Sequence, residues 1–198
     1  MKRFFSLALT AMLALGGAQA QQPVHQKDST RTHQHHHDGP HGRDGHHHHG
    51  HHHGQRPVVE VPPTQYNEDG IDMAVVQVFP GVKSVKAAGR WTEVLDKDGR
   101  RLGYVVYSKP DSDGIKGYNG ETPVLIAFSA KKVITGVYAL PNAETPRFAQ
   151  RVQEAGFYNN WNGLTVKQAR KKEVDAVSGA TFTSRSVAQS VQAALRKL

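Results

Sequence analysis

Four hydroxyl side chains stand close together near the end of the chain, in the segment 175–184, which reads Asp-Ala-Val-Ser-Gly-Ala-Thr-Phe-Thr-Ser. Apolar residues at helical spacing follow this segment, so we expect it to form the start of a helix. Free N–H groups and the helix dipole meet at such a start and favour an anion such as phosphate. On spacing alone, a helix start that Thr183 or Ser184 merely caps is the simpler explanation.

The motif Asp175-x-x-Ser178-Gly179-Ala180-Thr181 resembles the flavin-attachment signature of the FMN-binding domain family. That family includes the C subunit of the sodium-pumping NADH:quinone reductase, the G subunit of the Rnf complex and many small exported flavoproteins. Two other stretches are similar to it: Gly117-Tyr118-Asn119-Gly120 before a strand, and Glu144-Thr145-Pro146 after the next strand. The resemblance covers about residues 70–198 and departs from the family at Arg147, where glycine is usual.

The resemblance implies that Thr181 carries FMN through a phosphoester, which a periplasmic flavin transferase makes with FAD as the donor. Small neighbours would give access to this hydroxyl, and Asp175 would orient the loop or help to hold the metal of the transferase. The flavin ring needs an apolar slot with a few polar contacts. Tyr118 and Phe182 would line it, with plain core packing as the alternative for each. Besides Thr181, the resemblance implies these cofactor-binding residues: Asp175, Ser178, Gly179, Ala180, Thr183, Ser184, Tyr118, Glu144, Thr145 and Pro146.

Residues 1–20 are predicted to be a secretory signal peptide. Lys2 and Arg3 make a basic start, residues 4–15 are mostly apolar, and Ala18-Gln19-Ala20 is a small-residue cleavage site. The apolar run is shorter than the roughly 20 residues that span a bilayer, which disfavours a membrane anchor. No later stretch is long and apolar enough to span one. We therefore expect export across the inner membrane and a soluble periplasmic or extracellular protein, which has no disulfides because it has no cysteine.

All 13 histidines lie between His25 and His53, in a polar segment of low complexity. Residues 21–57 are predicted to be disordered, because so few apolar residues cannot offset the entropy of ordering. A proline-containing linker then runs to residue 65. Neutral imidazole binds zinc, nickel and copper well, so the tail is expected to bind metal, with a solvated tether as the alternative. The candidate metal ligands are His35, His36, His37, His46, His47, His48, His49, His51, His52 and His53.

Residues 66–198 are predicted to form one domain, an α+β fold with an antiparallel sheet built from hairpins and flanked by helices. The predicted strands are 91–95, 102–107, 122–128 and 133–140. Residues 71–79 fit either a strand or a short helix. Helical signals follow, with Thr145 as the cap before Pro146, a short helix over 164–169, and a last helix that starts near Thr183 or Ser184.

The residue types favour an electron carrier over an enzyme or a nucleic-acid binder. The net charge of +8 is scattered among acidic residues, and no basic stripe with interleaved aromatics is visible. Residues 66–198 contain no histidine and no cysteine, and no nucleophile–base pair stands out. A flavin can pass single electrons between quinone-, haem- or iron–sulfur-linked partners at the membrane or in the periplasm. Basic side chains near the ring would raise its potential, and the candidates are Lys131, Lys132, Arg147 and Arg185.

Two other functions remain open from the sequence. One is a metal-sequestering protein in which a non-redox domain anchors the histidine-rich tail. The other is a non-redox sensor or assembly module that uses the same fold. Covalently bound flavin would distinguish the electron carrier from both.

Overall fold

The structure, a computed structural model, describes residues 59–198, and these form one antiparallel sheet with helices on both faces. Within this range the strands are β1 Ser84–Ala88, β2 Trp91–Leu95, β3 Arg101–Tyr107, β4 Val124–Ser129 and β5 Ile134–Ala139. The helices are α1 Met73–Val78, α2 Pro146–Glu154, α3 Val166–Ala169 and α4 Thr181–Arg196, with a 3-10 helix at Phe157–Trp161. The strand order in the sheet is β1-β2-β3-β4-β5, and every neighbouring pair is antiparallel. The predicted α+β class is confirmed.

Both faces of the sheet are buried, as the side chains along β4 show. Val124, Ile126 and Phe128 belong to the core on the side of α2, α3 and α4, whereas Leu125 and Ala127 belong to the core on the side of α1. Successive side chains of a strand point to opposite faces, so a strand covered on both sides is apolar at every position. The apolar face predicted for the last helix is buried in the first of these cores, at positions 187, 191, 194 and 195.

The two predicted hairpins are present in the sheet. β2 and β3 are joined by a turn in which Asp96 Oδ1 accepts the N–H groups of Asp98 at 2.9 Å and Arg100 at 2.8 Å. Gly99 ends this turn with φ 73°, a left-handed conformation that glycine adopts at little cost. β4 and β5 are joined by residues 130–133.

Three elements differ from the sequence patterns or go beyond them. The patterns missed β1, because its residues Ser-Val-Lys-Ala-Ala show no alternation, and all five are exposed at the edge of the sheet. They also missed the 3-10 helix, whose Phe157, Tyr158 and Trp161 are buried; burial raises the pKa of Tyr158 to about 12. The ambiguous stretch 71–79 contains the helix α1, Met73–Val78. Asp72 Oδ1 caps this helix by accepting the N–H of Ala74 at 2.8 Å.

The last helix begins at Thr181, two residues before the start predicted near Thr183 or Ser184. Gly179, with φ 74°, turns the chain, and Ala180 occupies the N-cap position. Thr183 and Ser184 therefore lie inside the first helical turn, on its buried side. For α2 the structure agrees with Pro146 as the first residue and Thr145 as the N-cap, although the Thr145 side chain makes no capping hydrogen bond.

Between residues 59 and 198, no helix is long and apolar enough to cross a membrane. The predicted signal peptide, the histidine-rich segment and its candidate metal ligands all lie outside the described residues.

Candidate functional site

The start of α4 is held in place by Ser184. Its hydroxyl accepts the N–H of Val177 at 3.0 Å and lies 3.0 Å from the carbonyl oxygen of Ala180, to which it donates. The N–H of Ala180 in turn donates to the carbonyl of Val177 at 3.0 Å. These bonds connect the loop before the helix to its first turn. The hydroxyl of Ser184 is thus engaged with the protein, and its contribution to a ligand site is to position Thr181.

The N–H groups at the start of α4 have no partners within the described chain. No side chain caps this helix, and the N–H groups of Thr181, Phe182 and Thr183 meet no acceptor between residues 59 and 198. The hydroxyl of Thr183, only 2% exposed as a residue, is buried without a hydrogen-bond partner in the same range. Unpaired N–H groups at a helix start attract anions, and an unpaired buried hydroxyl costs free energy until a ligand or water pairs with it.

An apolar cavity of about 260 Å³ opens beside this helix start. Its wall consists of Tyr118, Phe148 and residues 179–183. The rings of Tyr118 and Phe148 meet edge to face, with centroids 4.8 Å apart, and Phe182 is 66% exposed at the rim. Ligand sites commonly join an apolar pocket to a few polar groups. This one provides aromatic surface for a flat ring and N–H donors for a phosphate.

Glu144 fixes the loop that carries Tyr118. Its buried carboxylate accepts the N–H groups of Tyr118 at 2.7 Å, Asn119 at 3.0 Å and Thr145 at 2.8 Å. A side chain at Gly117 would overlap this carboxylate, which explains the glycine at that position. Glu144 was predicted to bind the cofactor; in the structure its carboxylate oxygens accept backbone N–H groups and thereby hold the loop that carries Tyr118.

Some of the predicted cofactor-binding residues form part of the cavity wall, and others do not. Gly179, Ala180, Thr181 and Thr183 are part of it, together with Tyr118. Asp175 and Ser178 are exposed in the preceding loop, and Thr145 and Pro146 begin α2 without lining the cavity.

The four basic residues that were predicted to lie near the flavin ring are found in three different places. Arg147 is exposed, with its guanidinium carbon 5.6 Å from the ring centre of Phe148. Arg185 is exposed on the first turns of α4. Lys132 is elsewhere, with Nζ 4.4 Å from the ring centre of Trp91, in the turn that also holds Lys131.

Sequence reasoning missed two residues at this site. Phe148 lines the cavity, although the sequence patterns did not single it out as a site residue. Arg151 places its guanidinium against Gly179, and nothing in the sequence pattern singled it out. Both lie on α2, so their proximity to α4 depends on how the two helices pack.

Fold and site together define a domain that can hold a flat aromatic ligand bearing a phosphate. The sequence model of the FMN-binding domain family matches residues 117–196. This range contains the loop 117–120, the loop before α4 and all of α4. This match confirms the resemblance that the motifs predicted, and it supports FMN as the cofactor.

Two curated relatives belong to redox complexes. The G subunit of the Na⁺-translocating ferredoxin:NAD⁺ oxidoreductase complex of Acetobacterium woodii is 30% identical over 110 residues, which is 50% of each chain. The G subunit of the ion-translocating oxidoreductase complex of Shewanella piezotolerans is 28% identical over 89 residues, 39% of this chain and 42% of the relative. The chain spans about half the length of the curated relatives it matches. Among solved structures, NqrC of Shewanella oneidensis aligns with a TM-score of 0.38 at 20% identity, over 58% of this chain and 65% of that one.

Proposed function

We propose that this protein is an exported electron-transfer flavoprotein whose FMN is covalently bound to Thr181. The observation that carries the proposal is the position of Thr181: it is the first residue of α4 and part of the cavity wall. A phosphate on its oxygen would lie beside the unpaired N–H groups of the same helix start. The attached ring would then be within reach of the aromatic side chains of the cavity.

The attachment reaction requires a flavin transferase and FAD. In the proposed reaction, the hydroxyl oxygen of Thr181 attacks the phosphorus on the FMN side of the pyrophosphate. The phosphorus–oxygen bond to AMP breaks, AMP leaves with the bridging oxygen, and the hydroxyl proton passes to a base of the transferase. Thr181 is partly exposed and forms part of the cavity wall, so the donor has access to it from the cavity.

Bound FMN supplies one-electron and two-electron redox chemistry. The domain holds the ring and its phosphate, and we propose that electrons then pass to protein partners. Both curated relatives are named as subunits of ion-translocating oxidoreductase complexes. By analogy, the partners are membrane-bound or periplasmic redox proteins. Within the chain, residues 1–20 would direct export, residues 21–65 would act as a tether and residues 66–198 would form the redox domain. A carrier fits better than an enzyme that turns over a substrate, because the cavity wall offers no acid–base pair.

A second candidate function rests on the 13 clustered histidines, which favour metal binding by the tail. Within residues 59–198 no group of three or more potential metal ligands lies together. Zinc, nickel or copper would therefore bind to the tail, and the domain would serve as its anchor.

Intact mass after co-expression with a flavin transferase tests the flavin proposal. We expect an increase of one FMN phosphoester, and peptide mapping should place it on the segment 175–184. A protein that remains colourless and unmodified beside a loaded family member in the same cells would overturn the proposal.

A further inference from the structure

We propose that Arg151 binds the phosphate through which FMN is attached to Thr181, an inference that rests on the proposed function. The guanidinium of Arg151 lies directly over the Cα of Gly179. A Cβ placed on Gly179 would overlap Nη1 and would stand 3.2 Å from Cζ and 3.6 Å from Cδ of Arg151. Glycine at this position therefore leaves room for an arginine to cover the attachment loop.

The position of Arg151 brings its charge within reach of a phosphate on Thr181. Gly179 and Thr181 are two residues apart, so their Cα atoms are separated by at most about 7 Å. A guanidinium presents several N–H donors in one plane and suits two phosphate oxygens at once. The N–H groups of Thr181, Phe182 and Thr183 point toward the N-terminal end of the same helix, which the attachment loop precedes.

The charge of Arg151 is not compensated within residues 59–198, where it forms no ion pair or side-chain hydrogen bond. Glu154, on the same helix, is bonded to Gln150 at 2.7 Å instead. The buried hydroxyl of Thr183, which has no partner within residues 59–198 and lines the cavity, is a second polar group that a ligand there would satisfy. Among the described residues, the guanidinium of Arg151 has no anion, the first N–H groups of α4 have no acceptors and the Thr183 hydroxyl has no partner. A phosphodiester on Thr181 would pair with all three.

A double-mutant cycle separates this role from a purely structural one. Arg151→Gln is made in the flavinylated wild type and in Thr181→Val, which lacks the attachment oxygen. We expect Arg151→Gln to lower the thermal midpoint of the flavinylated protein by about 2–4 °C and to leave that of Thr181→Val unchanged. The control is Arg196→Gln, which removes the same charge at the far end of α4, roughly 22 Å away; it should act equally in both backgrounds.

Phosphorus-31 NMR gives a second readout that does not depend on stability. The chemical shift of the phosphodiester should change in Arg151→Gln. It should also change in Arg151→Lys, which keeps the charge but loses the planar guanidinium. It should not change in Arg196→Gln. If Arg151→Gln takes up no flavin, the resonance of Arg151→Lys decides the question.

Three results would overturn the inference: equal loss of thermal midpoint in both backgrounds, no loss in either, or an unmoved resonance. Failure of the proposed function is distinguishable, because it shows in the intact mass of the wild type before any Arg151 variant is made.

Discussion

The helices α3 and α4 differ in whether the backbone N–H groups of their first turns have hydrogen-bond partners. At α3, Thr165 and Gln168 form a reciprocal capping box: the Gln168 N–H reaches Thr165 Oγ1 at 3.4 Å, and the Thr165 N–H reaches Gln168 Oε1 at 2.9 Å. At α4, Ala180 is the N-cap, and no side chain of residues 59–198 caps the helix. The start of α3 thus pairs its donors with its own side chains, whereas within residues 59–198 the start of α4 leaves its first three N–H groups available.

The difference is not due to a shortage of hydroxyls at α4. Ser184 uses its hydroxyl to hold the loop at Val177, and Thr183 leaves its hydroxyl buried without a partner in the described chain. An unpaired buried hydroxyl costs about 1–3 kcal/mol. A cost of this kind at a helix start is explained when a ligand removes it, which is why we place the phosphate there.

The largest expected effect comes from removing the attachment oxygen at the open helix start. Thr181→Val should eliminate covalent flavin while leaving the domain folded, because valine has nearly the same shape but no hydroxyl. Denaturing electrophoresis with flavin fluorescence measures the bond, and circular dichroism checks the fold. Thr135→Val, an exposed threonine on β5, is the matched control and should be fully loaded. Flavin that stays with Thr181→Val through denaturation would mean that another residue carries it.

Deleting residues 21–57 tests whether the uncapped start of α4 holds the flavin without the histidine-rich segment. Most binding of zinc, nickel or copper should disappear, while flavin content and the unfolding midpoint stay nearly the same. In the full-length protein, metal binding should weaken as pH falls through about 6.5, since protonated imidazole cannot ligate. Calorimetric metal titration and absorbance of the flavin give both results. A shortened protein that loses its flavin would place the tail in the redox site.

Stability measurements on unflavinylated protein should separate the two helix starts directly. Thr165→Ala removes a cap that is in use and should lower the free energy of unfolding by about 1 kcal/mol. Thr183→Val replaces an unpaired hydroxyl with a methyl group and should cause no loss. Both variants are measured by urea unfolding in the Thr181→Val background. Similar losses from the two substitutions would show that Thr183 already has a partner in the protein.

The smallest effect is expected at Arg147, whose guanidinium lies over the ring of the cavity residue Phe148. Arg147→Gln should lower the flavin potential, because a positive charge near the ring favours its anionic reduced form. The side chain is exposed and contacts Phe148 rather than the helix start, so the shift should be on the order of tens of millivolts. Redox titration of the flavinylated variant measures it. An unchanged potential would assign Arg147 to the solvated surface.

Local patterns predicted the elements that depend on nearby residues. The turn at 96–99, the cap position before Pro146 and the apolar face of α4 follow from spacing and residue type, and the structure contains each of them. The edge strand β1 could not be predicted in this way, because its five exposed residues form a strand only by pairing with β2. The start of α4 was placed two residues late, because hydroxyl residues usually cap helices and here they lie inside the first turn.

The sequence by itself determined the family motif, the hydroxyl of Thr181 and the α+β class, because these depend on residue identity and on periodicity along the chain. Only the tertiary structure decided which residues surround that hydroxyl. Phe148 and Arg151 reach the attachment loop because α2 packs beside α4, and Glu144 turns toward the backbone of the 117–120 loop because Gly117 leaves space for its carboxylate. Contacts between segments so distant in sequence arise from the packing of the common core, and no local pattern encodes them.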